Sequence, residues 1–350
     1  MADLATRFDN NPILTPADLR PSRDFLEVAC VLNPAAFRFN GKTCLLLRVA
    51  ERPTQQENSI LVPLLDPNTP GGYDVIRIER TDPDLDLSDP RLFTYRNRTY
   101  LTTISHFRLA SSDDGRHFTV EDSPTITGQG PLETFGIEDC RVTFLEGRYI
   151  LTYNAVSPCG VGINMITTEN WADFTRLGMV LPPDNKDCAV FDDKIAGRYV
   201  ALHRPSNVHI KGNHIWIASS PDLRHWGAHR CIAMARPGQW DGGRVGGGCA
   251  PIRTPRGWLA IYHGADPAHR YCLGALLLDL KDPARVIARS REPIMEPRAP
   301  YEQQGFFGGV VFTNGHLLDG DTVTVYYGAS DSVVCGATMS IAEILETLEY

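Results

Sequence analysis

Between about residue 26 and residue 340 the apolar positions come in short runs of strand-forming residues broken by turn residues, without the three-and-four spacing of amphipathic helices. Val31–Phe39 and Lys42–Val49 flank Asn40-Gly41, the strongest two-residue hairpin signal, and Val142–Leu145 and Arg148–Tyr153 flank Glu146-Gly147 in the same way. The unit recurs as a polar opening, a strand, a glycine turn, a strand, a loop and an alternating strand. A Ser-x-Asp-x-x-x-aromatic tail often follows, as at Ser112–Phe118 and Ser220–Trp226. Six polar openings can be counted, near Asn33, Ser88, Glu138, Asn185, Gly248 and Gly309. Periods of roughly 48 to 62 residues with three or four strands per unit predict an all-β chain built as a β-propeller, with a generic antiparallel sandwich as the competing arrangement. The best helical stretch, Ile341–Leu348, stands at the chain end. The expected organisation is a single domain over 1–350, with an N-terminal lead over 1–30 and a short terminal helix over 340–350.

Composition changes this picture mainly by exclusion. A net charge of −8 on 350 residues, with no clustered basic surplus, argues against a dedicated nucleic-acid binder. There is no run of about 18 apolar residues and no apolar secretory core after Met1, so no membrane partner is expected and the cytoplasm is the default compartment. The nine cysteines lie in strand-like runs without CxxC spacing and read as buried free thiols. HExxH and EF-hand patterns are absent, so no metal site is expected, and the glycine run 242–248 lacks the order of a phosphate loop.

In a propeller the first strand of each unit lines the axis, so polar openings far apart in sequence converge on one pocket. That pocket receives Asn33 and Arg48, then Glu138, Asp139 and Arg141, then Asn185, Lys186 and Asp187 with His203 and Arg204, and finally Tyr262, His263, Asp266 and Tyr271, with Arg244 just before. A carboxylate-rich wall facing a cation-rich wall suits a polar, uncharged substrate attacked by an anion. Carboxylates protonate a leaving oxygen, and Arg and Lys hold oxyanions through charge-assisted hydrogen bonds.

The ordered series Asn33-Pro34, Arg48, Gly136-Ile-Glu-Asp-x-Arg141, Asn185-Lys-Asp187, His203-Arg-Pro205, Trp240-Asp-x-x-Arg-Val-Gly246, Ile261-Tyr-His-Gly264 and Tyr271–Asp279 resembles glycoside hydrolase family 130, the β-mannoside phosphorylases and β-1,2-mannosidases. The likeness runs from about Asn11 to Leu348. It implies a five-bladed propeller, which makes the Ser88 unit an insertion within the first blade. It further implies Asp139 as general acid, its proton passing through a hydroxyl of the bound mannose. Asn33, Arg48, Glu138, Arg141, Asp187, His203, Asp241, His263 and Glu302 would serve the sugar. Lys186, Arg204, Arg244 and Tyr271 would hold inorganic phosphate, a co-substrate in a reaction that needs no cofactor and no catalytic base. The hydrolase branch instead needs a carboxylate base on the opposite face of the sugar, for which Glu302 or Asp187 is the candidate. A non-catalytic binding propeller is the reading from a different class, and a homo-oligomer is left open. Two positions depart from the phosphorylase pattern: Arg244 where lysine is more common, and Cys140 where proline follows the acid. Segments 52–85 and 291–308 are expected to set the leaving sugar and chain length.

Overall fold

A computed structural model describes residues 3–66, 68–69, 72–89, 91–206 and 212–350. The described residues are almost entirely β, with short α-helices at Pro300–Gln303 and Ile341–Glu346 and one 3-10 turn at Pro16–Asp18. They form five sheets of four or more strands and two smaller ones. Sheet one comprises Leu26–Phe39, Lys42–Pro53, Ile104–Ser112 and Thr119–Val120. Sheet two comprises Ile137–Leu145, Arg148–Ser157, Gly160–Thr168 and Thr175–Leu181, and sheet three Asn185–Val190, Tyr199–Pro205, Ile215–Ser220 and Gly227–Ala233. Sheet four runs from Arg244–Gly247 through Gly257–Ala265 and Tyr271–Leu278 to Val286–Ser290. Sheet five contains Val311–Asp319, Thr322–Ala329 and Val333–Ser340.

The N-terminal lead does more than precede the fold. Thr6–Arg7 pairs antiparallel with Ala337–Thr338 and becomes the outer strand of sheet five. Of the expected lead, residues 1 and 2 lie outside the described residues. The terminal helix is shorter than its apolar pattern: Ser340 caps it by accepting from the Glu343 amide at 3.1 Å, and Leu348–Glu349 then joins the edge of sheet four. Among the described residues, no helix is long and apolar enough to cross a membrane.

Packing shows why the apolar residues repeat. The stacked pair Phe37 and Trp171, centroids 4.0 Å apart, centres a core between sheets one and two. Ile150, Ile163 and Tyr199 fill the space between two and three, and Phe191, Leu202 and Trp258 that between three and four. Ile261, Leu273 and Tyr327 lie between four and five, and Val31, Leu45 and Tyr326 between five and one. Each sheet therefore buries both faces against its neighbours, which is why its strands read as near-continuous apolar runs. The first strands of neighbouring sheets one, two, three and four touch in turn, and that of sheet five touches that of sheet one.

The Ser88 opening does not start one of the five large sheets, in line with the insertion that the resemblance implies. Ser88 belongs to an excursion between the second and third strands of sheet one, which builds a two-stranded sheet (Ser59–Leu65, Tyr73–Glu79) and a three-stranded one (Leu85–Asp86, Leu92–Tyr95, Arg98–Leu101). Pro90, within it, lies outside the described residues. The strand Ile104–Ser112 then returns to pair with Thr43–Glu51. The Ser-x-Asp tails are turns that satisfy their own backbone. The Ser112 Oγ accepts from the Gly115 amide at 2.8 Å while an Asp114 carboxylate oxygen accepts from the Arg116 and His117 amides at 2.8 and 2.9 Å. All nine cysteines are free; seven are buried, whereas Cys159 and Cys231 are exposed, contrary to the expectation for those two.

Candidate active site

Three first strands break register at the same relative point, between Leu32 and Ala35, between Glu138 and Arg141, and between Lys186 and Ala189. At each break a short polar residue takes a left-handed backbone: Asn33 (φ 45°), Asp139 (φ 52°) and Asp187 (φ 56°). Asn and Asp are the side-chain-bearing residues that best tolerate this conformation, and a bulge re-aims its side chain. The repeated Asn or Asp in each opening is thus the local cause of the convergence. Glycine makes room opposite two of them. A Cβ on Gly328 would sit 2.2 Å from Asn33 Oδ1, and one on Gly246 would sit 2.2 Å from Asp187 Oδ2 and 2.5 Å from the His263 ring.

These residues line one cavity of about 540 Å³, a size suited to a small saccharide. Asp139 Oδ1 accepts from Asn33 Nδ2 at 2.9 Å and from Arg48 Nη1 at 3.0 Å, and Asn154 Nδ2 lies 3.3 Å from Oδ2. Arg48 also donates to Glu138 Oε1 at 2.7 Å and Ser105 Oγ at 3.1 Å. Burial by itself raises the Asp139 carboxyl, but the Arg48 guanidinium, the Asn33 amide and the charges of Arg141 and Lys186 outweigh it and hold the group below the ordinary carboxylate range. Lys186, Arg204, Arg244 and Tyr271 line the same cavity, with Arg244 Nη1 donating to the Tyr271 hydroxyl at 3.0 Å.

Asp187 is tied to these cations. Its Oδ1 accepts from Arg141 Nη2 at 3.0 Å, and its Oδ2 lies 2.5 Å from Arg204 Nε and 3.3 Å from His263 Nε2. Burial opposes ionisation, yet Arg204, His263 and Arg141 hold this carboxyl well below the usual range. Such a group is a poor base.

Seven expected residues do not line the cavity: Arg141, His203, Asp241 and Glu302, and with them Asn185 beside His203, Tyr262 beside Asp241, and Asp266, which accepts from the Arg270 amide at 3.0 Å. Arg141 lies beneath the cavity, 2% exposed, tying Asp187 to the carbonyls of Asp139, Gly247 and Gly248 at 2.9 to 3.0 Å. Glu302 is fully buried: it accepts from Arg7 Nε at 2.8 Å, the Tyr327 hydroxyl at 2.7 Å and the Arg298 and Ala299 amides at 2.6 and 2.9 Å. All its acceptor capacity goes to anchoring its own loop on the N-terminal strand. Asp241 likewise sits in a buried knot with Arg236, Arg289 at 2.6 Å and the Tyr262 hydroxyl at 2.8 Å. His203 stands behind the wall, its Nδ1 3.1 Å from Asn185 Oδ1 and its Nε2 3.1 Å from His229 Nδ1.

Burial, with the neighbouring His229, pushes His203 down to about 3, and burial with Arg108 does the same to His106. Below pH 6.5 the unfolded chain takes up protons that both folded imidazoles refuse. Stability is therefore expected to fall as pH drops from 6.5 towards 4, by up to about 1.4 kcal/mol per pH unit for each histidine. Asp331, pushed up to about 6 mainly by burial, offsets one proton of this below pH 6. The check is the denaturant midpoint against pH for wild type and His203→Asn; an unchanged slope in the variant would contradict the assignment.

Several cavity residues carried no sequence signal. Asp331 follows Ser330 in a left-handed turn that reads from composition as a solvated hairpin tip, yet it lines the cavity and feels Arg48, Asp139, Arg91 and Glu138. Arg91, Phe306, Phe307 and Phe312 also line it. Among the described residues, no group of three His, Cys, Asp or Glu could hold a metal ion.

A buried carboxylate and a set of cations lining one saccharide-sized cavity, in an all-β chain, suit a carbohydrate-active enzyme. The chain belongs to glycoside hydrolase family 130: the family's model, described as beta-1,4-mannooligosaccharide phosphorylase, matches residues 83–350. A beta-1,2-mannobiose phosphorylase from Listeria innocua is 43% identical over 347 residues, covering 98% of each chain. A 1,2-beta-oligomannan phosphorylase from Thermoanaerobacter is 40% identical over 244 residues, 69% of this chain and 80% of that one. The solved structure of the Listeria innocua enzyme in complex with beta-1,2-mannobiose superposes with a TM-score of 0.95 at 42% identity, covering 98% of each chain. A structure described with family 130 hydrolases that target beta-1,2 mannosidic linkages aligns at TM-score 0.74 and 23% identity, covering 95% and 93%, which is likeness of fold alone.

Proposed function

We propose that the chain is an inverting β-mannoside phosphorylase acting on β-1,2-linked manno-oligosaccharides and releasing α-mannose 1-phosphate. The observation that carries this reading is the fate of the candidate bases. Glu302 is spent outside the cavity and Asp187 is paired with Arg141 and Arg204, while Lys186, Arg204, Arg244 and Tyr271 line the same cavity as Asp139. An inverting hydrolase needs an available carboxylate across from the acid; the cations Lys186, Arg204 and Arg244 suit an anion instead. Of the other carboxylates that line the cavity, Glu138 is paired with Arg48 at 2.7 Å, and Asp331 lies near Arg48, Asp139 and Glu138, beside the acid. The similarity to phosphorylases of β-1,2-linked mannosides over nearly the full chain supports the same reading.

In this reading the cyclic order of five sheets and five intervening cores is a five-bladed propeller working as a single catalytic domain. A phosphate oxygen attacks the anomeric carbon as the glycosidic C–O bond breaks. The leaving oxygen takes a proton that originates on Asp139 and passes through a mannose hydroxyl. Bound phosphate offsets Lys186, one of the charges that hold Asp139 low, so its arrival favours the protonated acid the step requires. Asn33, Arg48, Glu138, His263 and Asp331 shape the sugar site. No cofactor takes part beyond phosphate as co-substrate, which the proposed cytoplasmic setting supplies. The test is turnover of β-1,2-mannobiose with and without phosphate. Product is expected to be α-mannose 1-phosphate plus mannose, only when phosphate is present; mannose release at equal rates in both would end the phosphorylase reading.

A further inference from the structure

The strands that carry the catalytic cavity also line a second cavity, of about 440 Å³. Phe37, Thr143, Asp192, Cys249 and Asn314 contribute to it, each on or just past the first strand of one of the five larger sheets. They stand two to five residues after Asn33, Asp139, Asp187, Arg244 and Phe312, which line the catalytic cavity. A strand rises about 3.3 Å per residue, so four residues put the second cavity about 13 Å further along the strands. No residue lines both cavities. Arg141 falls between them in the chain, buried and bonded to the carbonyls of Asp139, Gly247 and Gly248.

The walls of this cavity hold polar groups that the fold leaves unused. Phe144 lines it with 55% of its surface exposed, and its ring rests against Tyr149, centroids 4.8 Å apart. The Tyr149 hydroxyl donates to the Arg38 carbonyl at 2.7 Å, and Arg38 Nη1 donates to Thr43 Oγ1 at 2.6 Å, so aromatic wall and guanidinium are both fixed from behind. Burial raises the Asp192 carboxyl above its ordinary value, and among the described residues it has no ion pair. Asn314 is 2% exposed, and its Oδ1 has no hydrogen-bond partner among the described residues. The same holds for His316 Nδ1, on a ring that burial lowers to about 4 and so keeps neutral at pH 7. Asn33 Oδ1 is left unpaired in the same way at the catalytic cavity. A buried polar atom without a partner is costly, and a ligand that supplies the partner recovers the loss.

One arginine, one aspartate, an amide and a neutral imidazole carry no net charge and offer both donors and acceptors beside an open ring. That set suits a neutral polyhydroxylated ligand, whose hydroxyls donate and accept and whose C–H face covers an aromatic ring. We propose that this cavity is a second saccharide-binding site, separate from the catalytic one, that holds a β-1,2-linked manno-oligosaccharide against Phe144, Arg38, Asp192 and Asn314. The choice of mannoside rests on the phosphorylase reading.

The test is methyl-resolved NMR of Asp139→Asn, chosen to suppress turnover, titrated with β-1,2-mannotriose. Leu32 and Val310 report the catalytic cavity, and Val142, Leu317 and Leu318 the second one. Both sets are expected to shift, the second with its own Kd. Adding Phe144→Ala or Asp192→Asn is expected to weaken the second Kd about 5-fold or more and to leave the first within about 2-fold. In the otherwise wild-type chain Phe144→Ala is expected to keep kcat/KM for β-1,2-mannobiose within about 2-fold, since no residue is shared. Shifts confined to Leu32 and Val310 would overturn the second site and leave the phosphorylase reading standing. Shifts of Val142 and Leu318 that follow protein concentration instead of sugar would mark a contact between copies and overturn it too. No shift in either set would refute the mannoside reading together with the site.

Discussion

Asp139→Asn is expected to lower kcat for phosphorolysis of β-1,2-mannobiose by about 10²- to 10⁴-fold, the usual contribution of a positioned general acid, with a much smaller change in KM. The substitution keeps the side chain's shape and its acceptor for Asn33 and Arg48, at 2.9 and 3.0 Å in the wild type, so binding survives while the proton is lost. A structural role would predict the reverse, a lower melting temperature and little selectivity for the chemical step. The two are told apart with an aryl β-mannoside whose leaving group needs no protonation. The variant should recover most of its rate on that substrate, and a kcat loss of equal size on both would rule out Asp139 as the acid.

Arg204→Ala is expected to raise the KM for phosphate by about 10- to 100-fold, as the loss of one charge-assisted hydrogen bond to an anion does, and to move the KM for the mannoside by much less. Arg204 also neutralises Asp187 at 2.5 Å. Its removal leaves that buried carboxylate with Arg141 and His263 alone, so a drop in melting temperature should accompany the kinetic change. Arg204→Lys should fall between the two, because an ammonium restores charge without the planar fork. Initial rates over a grid of phosphate and mannobiose concentrations give both constants. Equal effects on the two would mean that Arg204 touches the sugar instead.

Much of the fold was legible in local chemistry. Asn40-Gly41 and Glu146-Gly147 turn two hairpins whose registers, Phe39 opposite Lys42 and Leu145 opposite Arg148, are those their patterns require. The excursion that contains Ser88 was harder to place. Its opening and strands satisfy the same local rules as the other units, and only the return of Ile104–Ser112 to the edge of Lys42–Pro53 shows that it interrupts a sheet. The cavity followed the same division. Asn33, Arg48, Glu138, Asp139, Lys186, Asp187, Arg204, Arg244, His263 and Tyr271 all line it, as their positions at strand ends predict, whereas Asp331 was hidden in a turn that looked solvated.

What the chain's own order of residues determined was the alternation of strand and turn, and the recurrence of Asn or Asp where the first strands of sheets one, two and three bulge. Both are properties of a few consecutive residues: a hairpin needs its turn pair, and a left-handed bulge needs a side chain that tolerates it. What only the tertiary structure decided was which charged groups face a ligand and which are consumed by each other. Glu302 meets Arg7 across 295 positions and Asp241 meets Arg289 across 48, so neither is available to a substrate. A carboxylate's chemistry depends on the partner that reaches it, and here those partners are brought by the pairing of distant strands: Thr6–Arg7 onto the outer edge of sheet five, and Val286–Ser290 into sheet four.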